Sequence, residues 1–381
     1  MTMLPTLALA APCGGDFGRF MQNMQSEALA AGHGADAVTG FFRGAAQDPK
    51  TLRADRAQGI FQKSFVDFAR AVISQNRMDN GRTNAQRYGS VFDAVEAQYG
   101  VSRGVLLAFW ALETDYGGFQ GDFNTRNSLL TLGHDCRRPE LFQPQILAAI
   151  ELYERGEFDP NSTTGAWAGE IGMVQMLPED ILLYGRDGDG DGAVRLKSSP
   201  PDALLSGGAM LQGLGWRAGE PWLQEVVLPP NFDVSQSGLR TSRSVRDWAD
   251  LGVRGRSGAL GPANLTASIL LPMGRGGPSF IAYPNFQVFF EWNQSFTYVT
   301  TAAYFATRLE GAPVFDVGSP NPGLSGAEMK LLQQKLQARG HNVGKVDGIL
   351  GARTRAAVRT EQRRLGLPVD AWPTQDLLNR L

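Results

Sequence analysis

Between Glu310 and Gly326 the chain reads EGAPVFDVGSPNPGLSG, a stretch so rich in Gly, Pro and Ser that neither helix nor strand can run through it. Whatever this chain folds into, it does so on two sides of that segment. We place a linker at residues 313–324, a large domain at 13–312 and a compact unit at 325–381. The last has its own apolar positions and a size near the lower limit for independent folding. Upstream, residues 15–115 carry the period of short amphipathic helices. FGRFMQNMQSEALAAG puts Phe17, Phe20 and Met21 on one face and stops at Gly32. NAQRYGSVFDAVEAQYG stops at Gly100, and VSRGVLLAFWALET follows with Ser102 as its expected N-cap. WLQEVVLP reads as a strand, and NFQVFFEWN, alternating Phe286, Val288 and Phe290 against Gln287 and Glu291, reads as another. YVTTAAYFATRL returns to the helical period. The fold class is mainly α (α+β), with a small β-containing part.

Composition removes several functions. With 43% hydrophobic and 19% charged residues, the 381-residue chain is an ordinary globular one. Lys plus Arg number 36 against 38 Asp plus Glu, which argues against wrapping a polyanion, so no nucleic-acid partner is expected. No run of about 18 apolar residues is present to span a membrane. The three histidines, His33, His134 and His341, lie far apart in sequence and only two cysteines occur, which argues against zinc hydrolysis. Residues 1–12 read as the back half of a secretory signal: Leu7 to Ala11 is apolar and Ala8-Leu9-Ala10 has the small-x-small form of a cleavage site. Pro12 before Cys13 argues against a lipoprotein anchor. In an oxidising compartment Cys13 and Cys136 can pair, and in a reducing one they would be buried thiols; their polar, turn-rich flanks favour the disulfide.

Chemistry concentrates at LLAFWALETDYGGFQGDF, residues 106–123, where an apolar run delivers one carboxylate, Glu113, to the edge of a sharp turn. Phe109, Trp110 and Leu112 beside it disfavour the ionised form, which is how a glutamate becomes a general acid near neutral pH. The plain alternative is an ordinary helix-end glutamate. A second feature is RDGDGDGAVRLKSSPP. Asp187, Asp189 and Asp191 stand at positions one, three and five of a D-x-D-x-D-G loop, and Ala193 at seven would offer its carbonyl. Ser198 stands at twelve, where a Ca2+ sensor loop has glutamate. Three carboxylates on one turn repel one another unless a hard cation joins them, so a structural Ca2+ is expected, with Na+ or an empty solvated turn as the alternatives.

ETDYGGFQGD resembles the catalytic segment of the lysozyme-like lytic transglycosylases. With LLTLGHDCRRPELF, GAWAGEIGMVQMLPED and DGDGDGAVRLKSSPPDAL in that order, residues 15–310 resemble the membrane-bound lytic transglycosylase B family, glycoside hydrolase family 103. The resemblance implies a lysozyme-like catalytic domain that cleaves the MurNAc–GlcNAc bond of peptidoglycan without water, leaving 1,6-anhydro-muramyl ends, with Glu113 as acid and then base and no catalytic cofactor. It implies that Gln175 is an active-site amide and that Arg137 and Arg138 hold substrate polar groups. It also implies that Trp292, Asn293 and Tyr298, in FFEWNQSFTYV, close the cleft. It adds Asp202 to the cation site. Ala166 stands where a serine is common, and Glu170 belongs to a subset of such sequences; it reads as a partner of the arginines or as a second acid. A retaining or inverting glycosidase needs two carboxylates, and a muramidase hydrolysing the same bond, or an inactive wall-binding scaffold, are the alternative functions.

EMKLLQQKLQARGHNVGKVDGILGARTRAAVRTEQRRLGLPVD resembles the peptidoglycan-binding domain type 1, a small three-helix unit. The matching marks are Leu332, Gln333, Leu336, Gly340, Val346-Asp347-Gly348, Gly351, Thr354, Ala357-Val358, Gln362 and Leu367. Asp347-Gly348 is expected to make a tight turn and Thr354 to help start the next helix. Glu361 and Ala371 depart from the pattern. Together the resemblances imply an enzyme on peptidoglycan strands; the signal-like start makes it periplasmic, a monomer is the default expectation, and proteins of wall synthesis or remodelling are candidate partners.

Overall fold

The computed structural model describes residues 11–57 and 63–381, so the apolar core of the expected leader lies outside the described residues. It is mainly helical with small sheets, and no described helix is long and apolar enough to cross a membrane. Contacts divide the chain into two compact units, residues 1–58 with 110–210 and residues 59–109 with 211–381, so the chain passes from one to the other inside helix Arg103–Thr114.

The first unit is built on helix Thr125–His134, nine of whose ten residues are buried, Asn127 being half-buried. An element with so little solvent face must be surrounded, and it packs against helices Pro139–Glu154, Pro49–Arg56 and Phe17–Ala30. Asp16, Asp48 and Asn124 cap three of these helices by accepting from backbone N–H groups of the first turn. Strand β1 (Phe123–Asn124) pairs antiparallel with β2 (Thr164–Gly165). Cys13 and Cys136 are joined, with Cα atoms 5.2 Å apart.

The second unit holds a five-stranded antiparallel sheet, ordered β4 (Arg243–Ser244), β6 (Thr266–Leu270), β7 (Phe280–Ala282), β3 (Leu223–Val227), β5 (Arg254–Gly255). Its register sets Leu223 opposite Ala282 and Ile269 opposite Ile281. Val226, Val245, Trp248, Ile269 and Ile281 form a core on it, and Trp248 Nε1 donates to the Ala267 carbonyl at 2.8 Å. The expected strand WLQEVVLP is β3. The expected strand NFQVFFEWN is instead the helix Pro284–Trp292. Alternation would have put Phe289 on the polar face with Gln287 and Glu291, yet Phe289 is fully buried beside Phe286, three residues earlier. Pro284 at the first turn starts the helix. Ser102 does precede helix Arg103–Thr114, but its hydroxyl is buried and makes no cap bond.

The stretch after Glu310 has neither helix nor strand, but it is pinned. Phe315 is buried against Phe65, Phe280 and Tyr304, the Asp316 N–H donates to Glu225 at 2.7 Å, and the Ser319 N–H donates to the Gly276 carbonyl at 2.7 Å. The helices Gly326–Ala338, Ala352–Arg364 and Gln375–Arg380 then close on a core of Leu332, Leu336, Val358 and Leu377. The motif residues of this unit fasten its loops. Gln333 receives the Gly348 N–H at 2.8 Å and donates to the Ile349 carbonyl and the Thr354 hydroxyl, so Thr354, third in its helix, holds a neighbour rather than capping. Asp347 receives the Ile349 N–H at 2.9 Å, which closes the expected turn. Gln362 fastens Asp370, Ala371 and Trp372 in the same way. Buried Glu361 is held by His341 at 2.7 Å and by Arg364 at 2.8 Å, so the departure at this position comes with its own partners.

Candidate active site

Helix Arg103–Thr114 stops within one residue of Glu113, and the stop is abrupt. Asp115 and Tyr116 both take the left-handed conformation, with φ of 52° and 59°. Two consecutive non-glycine residues there cost free energy that the surroundings must offset. Those surroundings centre on Thr114. Its buried hydroxyl donates to the Met173 carbonyl at 2.7 Å and receives the Gly117 N–H at 3.0 Å, while its own carbonyl receives the Phe119 N–H at 2.9 Å. The turn after Glu113 is thereby tied to the loop that carries Gln175.

That loop is closed by backbone contact. A Cβ on Gly121 would lie 2.1 Å from the Gly165 carbonyl oxygen, and one on Gly165 would lie 1.9 Å from that of Glu170, so both positions require glycine. Ile171 and Met176 exchange backbone hydrogen bonds at 2.8 and 3.0 Å, and Gln175 stands between them with φ of 55°. The Gln175 amide donates to the Gly172 carbonyl at 2.7 Å and reaches the Gln120 carbonyl at 3.4 Å; Gln120 donates to the Lys197 carbonyl at 3.0 Å. Gln175 therefore stands in a strained turn before helix Pro178–Tyr184, not in its first turn.

Glu113 itself is half-buried. Glu170, which the sequence left unassigned, belongs to the same electrostatic neighbourhood. Its carboxyl is pushed up to about 7, chiefly by burial and further by the charge of Glu113, against the opposing pull of nearby backbone N–H groups and of Arg138. Its Oε2 is buried and accepts no hydrogen bond. Arg137 and Arg138 both bind Asp55, a fully buried aspartate with no sequence signal, Arg138 at 2.7 Å. Each arginine keeps 36% of its side chain exposed, and the Arg138 guanidinium also lies 5.1 Å over the Phe142 ring. Phe119, on the turn after Glu113, is 70% exposed and was not singled out from the sequence.

Trp292, Asn293 and Tyr298 belong to the second unit. Trp292 stacks on Phe109 with centroids 4.2 Å apart. Asn293 ends its helix in extended backbone and receives the Ser295 N–H at 2.9 Å, and Tyr298 is buried in the first turn of helix Phe296–Leu309.

Of the acidic loop, the structure gathers Asp187, Asp189 and Asp202, with one carboxylate oxygen from each within 4.8 Å of the others. Asp202 is fully buried and receives the N–H groups of Gly188 at 2.8 Å and Arg195 at 2.7 Å. Asp187 receives those of Gly190 and Gly192, and Asp189 receives the Ser199 hydroxyl at 2.7 Å. The Asp191 carboxylate instead pairs with Arg195 and receives the Ala193 N–H at 3.0 Å. An all-oxygen donor set on a tight loop fits a hard divalent cation.

A model of the transglycosylase SLT domain matches residues 16–307, and one described as a putative peptidoglycan binding domain matches residues 325–381. The chain belongs to the SLT-domain transglycosylase family, with a peptidoglycan-binding domain behind the catalytic one. Among solved structures it is similar to SltB3 from Pseudomonas aeruginosa in complex with NAG-anhNAM-pentapeptide, at 34% identity and a TM-score of 0.87, covering 96% of this chain and 99% of that one. It is also similar to membrane-bound lytic murein transglycosylase B of Escherichia coli (strain K12), 24% identical over 238 residues, 62% of this chain and 64% of the relative's length. The Escherichia coli transglycosylase Slt35 in complex with calcium matches at 22% identity and a TM-score of 0.67, covering 81% of this chain and 98% of that one, a likeness of fold.

Proposed function

We propose that this protein is a periplasmic lytic transglycosylase that cleaves the MurNAc–GlcNAc bond of peptidoglycan and leaves 1,6-anhydro-muramyl ends. The observation that carries this reading is the setting of Glu113: a half-buried acid at a helix end, locked by a doubly left-handed turn to the loop of Gln175. In this reading Glu113 protonates the glycosidic oxygen as the C1–O bond breaks. The substrate's N-acetyl group stabilises the cationic centre, and the Glu113 carboxylate then takes the proton of the C6 hydroxyl as O6 bonds to C1. Water is neither consumed nor required. The sugar complexes of similar structures support the substrate class.

Gln175, Arg137 and Arg138 in the first unit, and Trp292, Asn293 and Tyr298 in the second, are the residues we assign to substrate. Arginine forks suit lactyl or peptide carboxylates, and aromatic planes suit sugar faces. Residues 325–381 hold the enzyme to the wall. Asp187, Asp189 and Asp202 would hold Ca2+, whose role is to neutralise the loop and not to react. Digestion of purified sacculi with the wild type and with Glu113→Gln, read by mass spectrometry, tests the reading. The wild type should release fragments lighter by one water than hydrolytic ones, and the variant should release almost none. Reducing ends from the wild type would make the enzyme a muramidase, and equal lysis by both proteins would remove Glu113 from the reaction.

A further inference from the structure

Within the second unit, the wall-binding helices close a cavity with residues 63–67, 273 and 297 of the preceding part. It measures about 350 Å³, room for on the order of ten water molecules. Phe65, Leu350 and Trp372 give it an apolar wall, while Arg355 and exposed Lys63 give it positive charge. Arg355 stands near the start of helix Ala352–Arg364. Its Nη2 donates to the Pro272 carbonyl at 2.9 Å, and its Cζ lies 4.6 Å from the centre of the Phe296 ring. Its Nε is shut off from solvent and donates to nothing, and no carboxylate among the described residues forms an ion pair with it. The acid whose charge reaches it, Asp370, is already committed. Asp370 receives the Gln362 amide at 2.8 Å and the N–H groups of Trp372 and Arg275, each at 2.9 Å. Arg359, one turn on, adds a second positive charge and donates to the Ser237 hydroxyl at 3.0 Å. Exposed Asp67 also lines the cavity, and its carboxylate receives the Ser64 hydroxyl at 2.7 Å.

A buried guanidinium costs free energy unless an anion meets it. We propose that this cavity is a second binding site, whose ligand is a peptide ending in a free carboxylate, held by Arg355 and Lys63 with its last side chain against Trp372 and Leu350. Naming a stem peptide of the wall as the source rests on the peptidoglycan reading above. A guanidinium with unused N–H donors suits a carboxylate, and the Lys63 ammonium adds charge from the exposed side. The apolar wall and the volume suit a short side chain beside that carboxylate and exceed what a lone inorganic ion fills. Burial first and Arg359 second, against the pull of Asp370, bring the Arg355 guanidinium down to about 10, which accords with a cation its own chain leaves unneutralised. The site draws residues from the wall-binding helices and from the part before them, so a stem peptide is gripped by both at once.

The test is calorimetric titration of the full chain with N-acetyl-D-alanyl-D-alanine, which carries a carboxylate and small side chains but no sugar, and with its C-terminal amide. The acid should bind, and the amide should bind about tenfold more weakly or worse. Arg355→Gln should weaken the acid by about tenfold or more, and Lys63→Glu by several-fold. Arg355 also fastens Pro272, so where Arg355→Gln lowers the melting temperature, Lys63→Glu, at an exposed position, decides. No heat of binding, or acid and amide binding alike, overturns the proposal. An affinity unchanged in Lys63→Glu also overturns it, and would place the peptide at Arg137 and Arg138 instead. Acetate binding as tightly as the dipeptide overturns the peptide as ligand and leaves a site for small anions. The two readings fail differently. Absent dipeptide binding beside normal anhydromuropeptide release removes only this site, whereas reducing ends from sacculi beside intact dipeptide binding remove only the transglycosylase reading.

Discussion

The first unit gathers carboxylates twice, and the two gatherings are opposites. Around Asp187, Asp189 and Asp202, backbone N–H groups and a hydroxyl meet the acid oxygens, and two of the three aspartates lie in the open. Around the Glu170 carboxyl, burial outweighs hydrogen bonding and one oxygen is left with no donor at all. Donors and solvent stabilise charge, so the aspartates are suited to collect a cation. Burial beside a like charge does the reverse and suits a group that must keep or exchange a proton. One unit thus holds both a carboxylate cluster suited to a cation and a buried carboxyl that resists ionisation, and burial is the main difference between them.

The strongest way to break this contrast is through activity. Glu113→Gln should lower anhydromuropeptide release by about 10²–10⁴-fold, while Asp187→Asn should leave the rate per folded molecule within a few-fold of wild type; equal losses would erase the distinction. Stability against pH comes next. Because the Glu170 carboxyl titrates near 7 when folded, above the ordinary glutamate value, the folded state binds the extra proton. Stability is then full below about pH 4 and declines as pH rises to about 7, by about 3 kcal/mol in all. Urea unfolding across that range should show the decline in the wild type and not in Glu170→Gln. Cation removal should act on the other cluster only: at 100 times its dissociation constant Ca2+ would add about 2.7 kcal/mol, read as a melting temperature lowered by chelator and restored by Ca2+, and lost in Asp202→Asn. The smallest effect should be that of Ser199→Ala, about 1 kcal/mol from the lost hydroxyl bond to Asp189, with weaker Ca2+ response and unaltered pH profile.

How far these sites could be read in advance follows from what sets them. The Asp187–Asp202 loop was legible because its spacing is local. Gln333, Asp347, Thr354 and Gln362 stood out as a pattern, although the sequence did not show that they fasten loops. Glu170 was visible only as a residue without a role, since its state depends on burial and on Glu113, 57 positions away in the chain. Asp55 carried no signal, because an aspartate on a short polar helix gains meaning only when two arginines from residues 137 and 138 arrive. The helix Pro284–Trp292 was misread because Phe286 and Phe290, four apart, satisfy both periods, and Phe289, the residue that decides between them, was the one left out of the alternation.

The covalent bond between residues 13 and 136 spans a sequence separation of 123, and the whole excursion of residues 59–109 into the second unit lies inside that ring. A protease that severs the backbone once anywhere within it therefore liberates no fragment: the nicked molecule migrates as a single band on a gel until a thiol is added, and only then falls into two pieces.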